Sequence, residues 1–337
     1  MKKNLLVLLI FAALLNLAAC AGRKPAVYKK TKPLMDTLVT ITVVANSEGE
    51  AEKAIDDALS TIDRFSGLIN FFSDRSELAQ INGDAGIRPV RVSPDTLGVI
   101  ERAVFIAEKS GGAFDPTIGP ETRMWDFPKK IRPPDASIRE KLGLVNYRDI
   151  LVDREKSTVF LRRKGMMLDL GGIAKGYAAD MALENLKRNG ITAGLVAAAG
   201  DIRAFGLKPD GTPWNIGIKN PRQNSKADEL IARARLTGKA ISTSGDYERY
   251  FIEHGRRYHH LLDPKTGYPA GGCRSVTVIS DSGLYADGFS TAVFVSGPEK
   301  GMRLVTDAGV DALIIDKDGG IHTTPGLKGL VTFEDGH

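Results

Sequence analysis

The chain has 337 residues, with 46 Lys or Arg against 41 Asp or Glu, so its formal net charge is only +5. Because the cationic side chains are scattered among acidic ones, no basic face indicates nucleic acid, and we expect no nucleic-acid partner. The length suits one large domain, or two intimately joined ones, with an ordinary hydrophobic core.

The N-terminal segment has the pattern of a secretion signal. Lys2 and Lys3 precede an apolar run, residues 5–15, that is too short to be a stable membrane span. Cys20 follows Leu-Ala-Ala, which resembles the lipobox of bacterial lipoproteins. We therefore predict that residues 1–19 are removed and that Cys20 is lipidated; the alternative is an ordinary cleaved signal with a coincidental cysteine.

A short polar segment is predicted to join the lipid to the folded part. Residues 20–33 are basic and contain Pro25 and Pro33, a composition typical of a tether. The folded domain is then expected to cover residues 34–333. If the first cysteine carries the lipid, Cys273 has no partner in the chain, so we expect no internal disulfide.

Hydrophobic periodicity predicts a mixed α/β (α+β) domain in which sheets are flanked by helices. Alternating Thr and aliphatic residues over Met35–Ala45 predict a half-buried strand, and apolar residues at helical spacing over Glu50–Leu68 predict an amphipathic helix. A second helix is predicted over Pro94–Ser110. Phe71 and Phe72 lie in the intervening loop, either as lids of the core or as a platform for a flat ring.

A loop with many turn formers, residues 113–120, also contains apolar residues, which is typical of a structured functional loop. Ile150–Asp153 and Thr158–Leu161 are predicted to form a hairpin. The apolar run 168–170 then leads into Gly171-Gly172 and a helical register, which predicts strand, tight turn and helix. Such a turn favours an anion such as phosphate, although a glycine pair there is equally typical of a simple tight connection.

The remaining pattern predicts a further helix and several strands. The predicted strands are Gly194–Phe205, Trp214–Ile218, Leu230–Leu236, Arg274–Ser280 and Ala312–Asp316, and the predicted helix is Tyr285–Phe294. Ala240–Asp246 is predicted to be a strand end and a cap that leads into Tyr247–Ile252.

Two sets of polar residues are candidates for chemistry. Asp287 and Thr291 are four residues apart in a predicted helix, so their oxygens share one face and can ligate Mg²⁺; the alternative is a solvated Asp and a Thr bonded to its own helix. His260 is a candidate general base that Asp263 would orient, or else a structural turn residue.

Together, these motifs closely resemble the ApbE family of flavin transferases, over nearly the whole chain after residue 34. The motifs, in family order, are GGAFDPTIGP with Trp125, LDLGGIAKGYAAD, AGDIRAFG, STSGDYERYF, HHLLDPKTGYP and YADGFSTAVFVSGPEKG. The resemblance implies an enzyme that cleaves FAD at its pyrophosphate, releases AMP and joins FMN through a phosphoester to a Thr or Ser of a target protein.

The resemblance also implies roles for individual residues. Mg²⁺ would be held by the backbone carbonyl of Ala174 and the side chains of Asp287 and Thr291, and His260 would be the base for the acceptor hydroxyl. The residues that would lie against FAD are Met35, Phe72, Ala113, Phe114, Asp115, Gly171, Tyr177 and Leu261.

The sequence departs from the family pattern at two places. Phe72 stands where the family often has Tyr, which keeps the stacking face but loses a hydroxyl. Ala197-Ala198-Ala199-Gly200-Asp201 replaces a common Asn-Ala-Gly-Gly-Asp, so the chain lacks the family's amide side chain at position 197 and its glycine at position 199.

The expected setting is a lipid-anchored bacterial enzyme that faces the periplasm or the cell exterior, in an inner or outer membrane. Its partners would be FAD and redox proteins that carry a Ser/Thr flavinylation motif, such as subunits of membrane electron-transfer complexes. The alternatives are a metal-dependent FAD pyrophosphatase and a lipoprotein that binds FAD without chemistry.

Overall fold

The computed structural model describes residues 24–222 and 229–334. The predicted signal, residues 1–19, and the predicted lipidation site, Cys20, lie outside the described residues. No helix within the described ranges is long and apolar enough to cross a membrane. The mixed α/β class is confirmed, with helices packed on antiparallel sheets.

The α-helices are α1 (Glu48–Ile69), α2 (Glu77–Gly83), α3 (Pro94–Lys109), α4 (Gly119–Thr122), α5 (Asp135–Leu142), α6 (Ala174–Arg188), α7 (Gly283–Ser296) and α8 (Pro298–Ala308). The strands are β1 (Ala26–Leu34), β2 (Thr37–Ala45), β3 (Val90–Arg91), β4 (Ile150–Asp153), β5 (Thr158–Leu161), β6 (Gly194–Ala198), β7 (Asp201–Phe205), β8 (Trp214–Lys219), β9 (Leu230–Leu236), β10 (Ala240–Gly245), β11 (Tyr250–Glu253), β12 (Arg256–His259), β13 (Cys273–Ser280), β14 (Asp311–Asp316), β15 (Ile321–Thr323) and β16 (Val331–Phe333).

An eight-stranded sheet in the order β1-β2-β6-β7-β10-β13-β14-β15 organises the domain, and its neighbouring strands run antiparallel. The central strands have apolar side chains on both faces, as β14 illustrates. Ala312 and Ile314 face the cluster beneath the helices, whereas Leu313 and Ile315 face a second cluster under the three-stranded sheet β16-β9-β8. The sheet is therefore the middle layer of three.

The helices on one side of this sheet differ in how far they are buried. The first helix, α1, is amphipathic, and Ser47 caps it by accepting a hydrogen bond from the N–H of Glu50. By contrast, α7 is buried on most of its surface, from Gly283 to Phe294. An all-round buried helix belongs to the centre of a core, so α7 makes core contacts on most of its surface.

The predicted boundary of the folded part is wrong at its N-terminal end. We expected the domain to begin at Leu34, but strand β1 pairs with β2 from Ala26 onward. The alternation of apolar and polar residues in β1 is weak because the strand is mostly exposed at the sheet edge. Most of the predicted tether is therefore part of the sheet, and the domain limits otherwise stay a prediction.

The predicted single strand Gly194–Phe205 is a hairpin of β6 and β7, in which Ala198 pairs with Asp201 across a two-residue turn. Ala199, the first residue of that turn, has φ +55°, a region that favours glycine. The turn therefore forms without the glycine that the family pattern has at this position. It places Asp201 at the start of β7.

A third apolar cluster lies apart from the main core. Phe251 and Tyr258 of the two-stranded ribbon β11–β12 cluster with Trp125, which donates a hydrogen bond to the carbonyl of Gly267 at 3.2 Å. The sequence predicts a cap leading into Tyr247–Ile252, but Tyr250 begins strand β11 instead. The four-residue strands of the ribbon are too short for a clear period-two pattern. The ribbon carries the chain directly to His260.

Candidate active site at a helix crossing

The glycine-rich motif forms the N-terminal end of α6, where α6 crosses α7. The backbones touch there: a Cβ added to Gly176 would lie 2.1 Å from the carbonyl oxygen of Gly283. The predicted metal ligand Asp287 is only 3% exposed and lies at this crossing, where its Oδ2 accepts the N–H of Gly176 at 2.9 Å. A carboxylate at this position is stabilised by the N-terminal dipole of α6.

The reverse contact is made by Asp180, the last residue of the same motif, to which we assigned no role. Its carboxylate accepts hydrogen bonds from the hydroxyl of Ser282 at 2.7 Å, and from the N–H groups of Gly283 at 2.8 Å and Leu284 at 3.0 Å. Nε of Arg203 also donates to it at 3.0 Å. The two helices thus cap each other, Asp287 at the start of α6 and Asp180 at the start of α7.

A buried charge cluster surrounds Asp287. Nζ of Lys175 lies 2.7 Å from Oδ2 of Asp201, which is 5% exposed. Burial lowers the pKa of Lys175, but the charges of Asp201 and Asp287 raise it by more. Burial raises the pKa of Asp287, and the charge of Asp201 raises it further, against the opposing effect of Lys175. Two buried acids thus share one ammonium, an arrangement that a bound cation would neutralise.

A chain of hydroxyl groups connects this charge cluster to Thr291. Ser242 donates to Asp201, and Ser290 donates to the backbone carbonyl of Asp287 at 2.8 Å. Ser244 bonds to Ser290 at 2.8 Å and lies 3.4 Å from the hydroxyl of Thr291. The hydroxyl of Thr291 therefore contacts Ser244 of strand β10, and it does not hydrogen-bond to its own helix among the described residues.

Thr291 faces the glycine turn. A Cβ added to Gly172 would lie 3.2 Å from both Oγ1 of Thr291 and the ring of Phe114. The structure thus brings three separate motifs together: the turn before α6, the loop 113–120 and helix α7. The predicted metal ligand Ala174 is the first residue of α6 and is buried beside this contact.

The predicted strand before the glycine turn is not formed. Its backbone groups bond elsewhere. The N–H of Leu168 donates to the side chain of Asn82 at 2.7 Å, and the carbonyl of Leu168 accepts from the same side chain at 3.0 Å. The N–H of Asp169 donates to the carbonyl of Pro116 at 2.7 Å. Asp169 then accepts the N–H of Gly171 at 2.8 Å. The turn is therefore rigid and leaves Gly171 exposed, as close approach by a ligand requires.

His260 lies directly after the ribbon β11–β12, and its backbone N–H donates to the backbone carbonyl of Arg249 at 3.1 Å. Its Nδ1 is buried and has no hydrogen-bond partner in the described residues, so Nε2 is the reachable nitrogen. Burial lowers the pKa of His260 well below its usual value, and the charges of Arg249, His259 and Lys175 act in the same direction. The imidazole is therefore neutral at pH 7.

The hypothesis that Asp263 orients His260 is wrong. The Asp263 carboxylate accepts the N–H of Lys265 at 2.9 Å and shapes its own turn. The neighbouring His259 is the structural histidine of the pair: its Nε2 lies 2.9 Å from the carbonyl of Ala270, and its Nδ1 accepts the N–H of Leu261 at 3.3 Å. His259 thereby fixes the backbone on which the predicted flavin contact Leu261 lies.

Two predicted flavin contacts lie on exposed or strained positions. Met35 is in the two-residue turn between β1 and β2 with φ +54°, a conformation that disfavours a side chain and often marks a functional position. Phe72 is 70% exposed, whereas Phe71 beside it is buried. The guanidinium of Arg123 lies 4.7 Å from the Phe71 ring and 6.0 Å from the Phe72 ring. Phe71 is thus the lid, and Phe72 presents a free face.

Other predicted contacts have internal partners. The Asp115 carboxylate accepts hydrogen bonds from the N–H groups of Thr117 and Tyr147, both at 2.9 Å, so it organises the loop that places Ala113 and Phe114. The Tyr177 ring packs edge-on against Phe65, with centroids 5.1 Å apart, between α6 and α1. These contacts account for both side chains without a ligand.

The described residues contain no group of three or more His, Cys, Asp or Glu that could hold a metal ion. The predicted ligand set contains a single carboxylate, so it would leave most positions around Mg²⁺ to water or phosphate oxygens, as this ion prefers. Hard oxygen donors and an excess of buried negative charge fit such an ion.

Known proteins resemble the chain over most of its length. The FAD:protein FMN transferase of Treponema pallidum (strain Nichols) is 33% identical over 341 residues, covering 96% of this chain and 94% of that protein. The FAD:protein FMN transferase of Klebsiella pneumoniae (strain 342) is also 33% identical, covering 87% of this chain and 90% of that one.

Solved structures agree. The crystal structure of the ApbE protein from Thermotoga maritima is 35% identical, has a TM-score of 0.83 and covers 90% of this chain and 99% of that one. The flavin transferase ApbE from Vibrio cholerae is 27% identical with a TM-score of 0.80, covering 91% and 99%. The model of the ApbE family matches residues 35–314, and the chain belongs to this family.

Proposed function

We propose that the protein is an Mg²⁺-dependent FAD:protein FMN transferase. The names of its relatives support the transferase activity. The observation that carries the finer assignment is the buried Asp287, which lies against the N-terminus of α6 while Thr291 lies against the glycine turn beside it. This geometry provides oxygen ligands and backbone N–H groups where a pyrophosphate can approach.

In the proposed reaction, the oxygen of an acceptor Thr or Ser attacks the phosphorus of the FMN half of FAD. The bond from that phosphorus to the bridging oxygen breaks, and AMP leaves with that oxygen. The acceptor's proton passes to Nε2 of His260, which is able to take it because its lowered pKa keeps the imidazole neutral.

Mg²⁺ would be held by the carbonyl of Ala174 and the side chains of Asp287 and Thr291. When bound, the ion would neutralise charge on the phosphates, which is the main requirement of phosphoryl transfer. The buried charge cluster supports this assignment, because Lys175 balances only one of the carboxylates Asp201 and Asp287.

We further infer that the mature protein is anchored to a bacterial membrane through Cys20 and faces the periplasm or the exterior. The support is the sequence of residues 1–20 alone. An anchor would hold the enzyme beside membrane-bound redox proteins, which we propose as its acceptors. Confinement to one surface raises the effective concentration of the two proteins.

One experiment separates the proposed function from its alternatives. The full-length protein is incubated with FAD, Mg²⁺ and a redox protein that carries a Ser/Thr flavinylation motif. A transferase gives an acceptor whose mass has increased by FMN, together with AMP. Free FMN and AMP on an unmodified acceptor would indicate a pyrophosphatase, and intact FAD would indicate a binding protein.

The same assay tests the base. His260→Ala should slow transfer to the acceptor by about 10²- to 10⁴-fold, the usual contribution of general base catalysis. FAD binding should persist, because the variant removes none of the proposed metal ligands. An unchanged transfer rate would assign the base to another residue.

A further inference from the structure

Arg249 lies directly across the ribbon from His260. Tyr250 and His259 form the last registered pair of β11 and β12, and the N–H of His260 donates to the carbonyl of Arg249 one position beyond, at 3.1 Å. Residues that are paired in this way across an antiparallel ladder project from the same face, with Cβ atoms about 5 Å apart. The backbone thus places a guanidinium beside the proposed base.

The other arginines around the ribbon have partners, and Arg249 does not. Arg222 makes a bidentate ion pair with Asp246, and the Arg257 guanidinium lies 3.9 Å from the ring centre of Tyr250. Arg249 is exposed and, among residues 24–222 and 229–334, makes no hydrogen bond, ion pair or aromatic contact through its side chain. Its charge is therefore available to a ligand.

The groups around Arg249 favour an anionic ligand. Besides the effect of burial, the charge of Arg249 acts to lower the pKa of both His260 and Lys175, so the guanidinium lies near both side chains. Since His260 is neutral and Lys175 is paired with Asp201, Arg249 is the cation in this group without a counter-charge in the described residues. Guanidinium groups present planar, paired donors that match the oxygens of a phosphate.

We propose that Arg249 is a further catalytic residue, whose guanidinium binds the non-bridging oxygens of the phosphate that is transferred. This inference rests on the proposed function, since it assigns the ligand of the same site. The guanidinium would hold that phosphate next to His260, on the approach of the acceptor hydroxyl. It would also stabilise the charge that develops on the phosphate oxygens during transfer.

The test compares two flavins that differ only by the phosphate. FMN and riboflavin are titrated separately into the full-length protein and into Arg249→Ala, Arg249→Lys and Arg256→Ala, with flavin fluorescence as the readout. Arg256 is the matched control, because it lies on the same ribbon and its guanidinium lies 5.2 Å from the Tyr258 ring. No turnover is needed, so the result does not depend on whether FMN is transferred to an acceptor.

We expect Arg249→Ala to weaken FMN binding about 10- to 100-fold, the usual effect of losing a charge-assisted contact, and to leave riboflavin binding unchanged. Arg249→Lys should recover part of the loss, and Arg256→Ala should bind both flavins as the unaltered protein does. Equal weakening of both flavins by Arg249→Ala, unchanged FMN binding, or no preference of the unaltered protein for FMN would each overturn the proposal. In the transfer assay, Arg249→Ala should mainly lower kcat.

Discussion

The N-termini of α6 and α7 lie together and are both capped by an aspartate from the other helix, yet the two carboxylates differ in their surroundings. Asp180, at the start of α7, accepts hydrogen bonds from two backbone N–H groups and from the hydroxyl of Ser282, and it pairs with Arg203. Asp287, at the start of α6, is more deeply buried and has no ion pair of its own in the described residues.

The difference separates a structural carboxylate from a functional one. The charge of Asp180 is fully compensated within the fold, so this residue has little capacity for a ligand. The charge of Asp287 is compensated only in part, and both burial and the nearby charge of Asp201 raise its pKa. The site is therefore less stable until a cation binds.

Asp287→Asn should abolish most of the transferase activity without unfolding the protein. The amide keeps the size of the side chain but removes the negative charge that a cation needs, and we expect the rate to fall by about 10³-fold. AMP release measures the rate, and thermal melting should show equal or greater stability, because a poorly compensated buried charge is gone. Full activity in this variant would remove Asp287 from the metal site.

In contrast to Asp287→Asn, Asp180→Ala should destabilise the folded protein. It removes the cap of α7 and leaves the guanidinium of Arg203 without its partner, so we expect the free energy of unfolding to fall by about 3–5 kcal/mol. Urea unfolding measures this loss. Asp180→Asn keeps a hydrogen-bond acceptor, so it is the control and should lose less stability. If Asp180→Ala is as stable as the unaltered protein, the structural role of Asp180 is contradicted.

Glu121 extends the contrast to a third carboxylate, at which burial raises the pKa by more than the charge of Lys141 lowers it. It is fully buried beside Gly267, neither oxygen has a hydrogen-bond partner in the described residues, and burial raises its pKa from 4.5 to about 7. Between these two pH values the folded protein holds a proton that the unfolded chain releases. Stability is therefore lost as pH rises through this window, by roughly 3 kcal/mol at most.

The measurement for Glu121 is urea unfolding of the unaltered protein and of Glu121→Gln at pH 5 and pH 8. The glutamine variant does not titrate, so its stability relative to the unaltered protein should increase between the two pH values. A difference that is the same at both values would show that the carboxyl is not held protonated by its surroundings.

Ala199→Gly should give the smallest effect, a stabilisation of about 0.5–1 kcal/mol. Ala199 has φ +55° in the turn that leads to Asp201, and glycine adopts this conformation without the steric cost that a Cβ adds. Thermal melting of the variant measures the gain. A loss of stability would mean that the methyl group makes a contact that outweighs the backbone strain.

The predictable parts of the fold are those with a clear local period. Helix α1 was predicted from its apolar spacing, and helix α7 was predicted with Asp287 and Thr291 on one face. The four-residue spacing alone did not distinguish a metal site from a solvated pair. The glycine turn did not show that Thr291 would lie against Gly172, since their contact joins residues more than 100 positions apart.

Some predictions of secondary structure were wrong because non-local groups form the backbone hydrogen bonds, or because the local pattern is weak. The run 168–170 has a strand-like composition, but the Asn82 side chain and the Pro116 carbonyl occupy the hydrogen bonds that a neighbouring strand would use. Strand β1 is mostly exposed and has no strong pattern. Asp180 was overlooked because its capping role depends on the crossing of two distant helices, which no local signal indicates.

Calorimetric titration of Mg²⁺ into the full-length protein, Asp180→Asn and Asp287→Asn tests most directly whether the two capping aspartates divide structure from function. We predict that the unaltered protein and Asp180→Asn bind Mg²⁺ with similar affinity, whereas Asp287→Asn shows no binding in the same range. Equal affinity in Asp287→Asn, or loss of binding only in Asp180→Asn, would contradict this account.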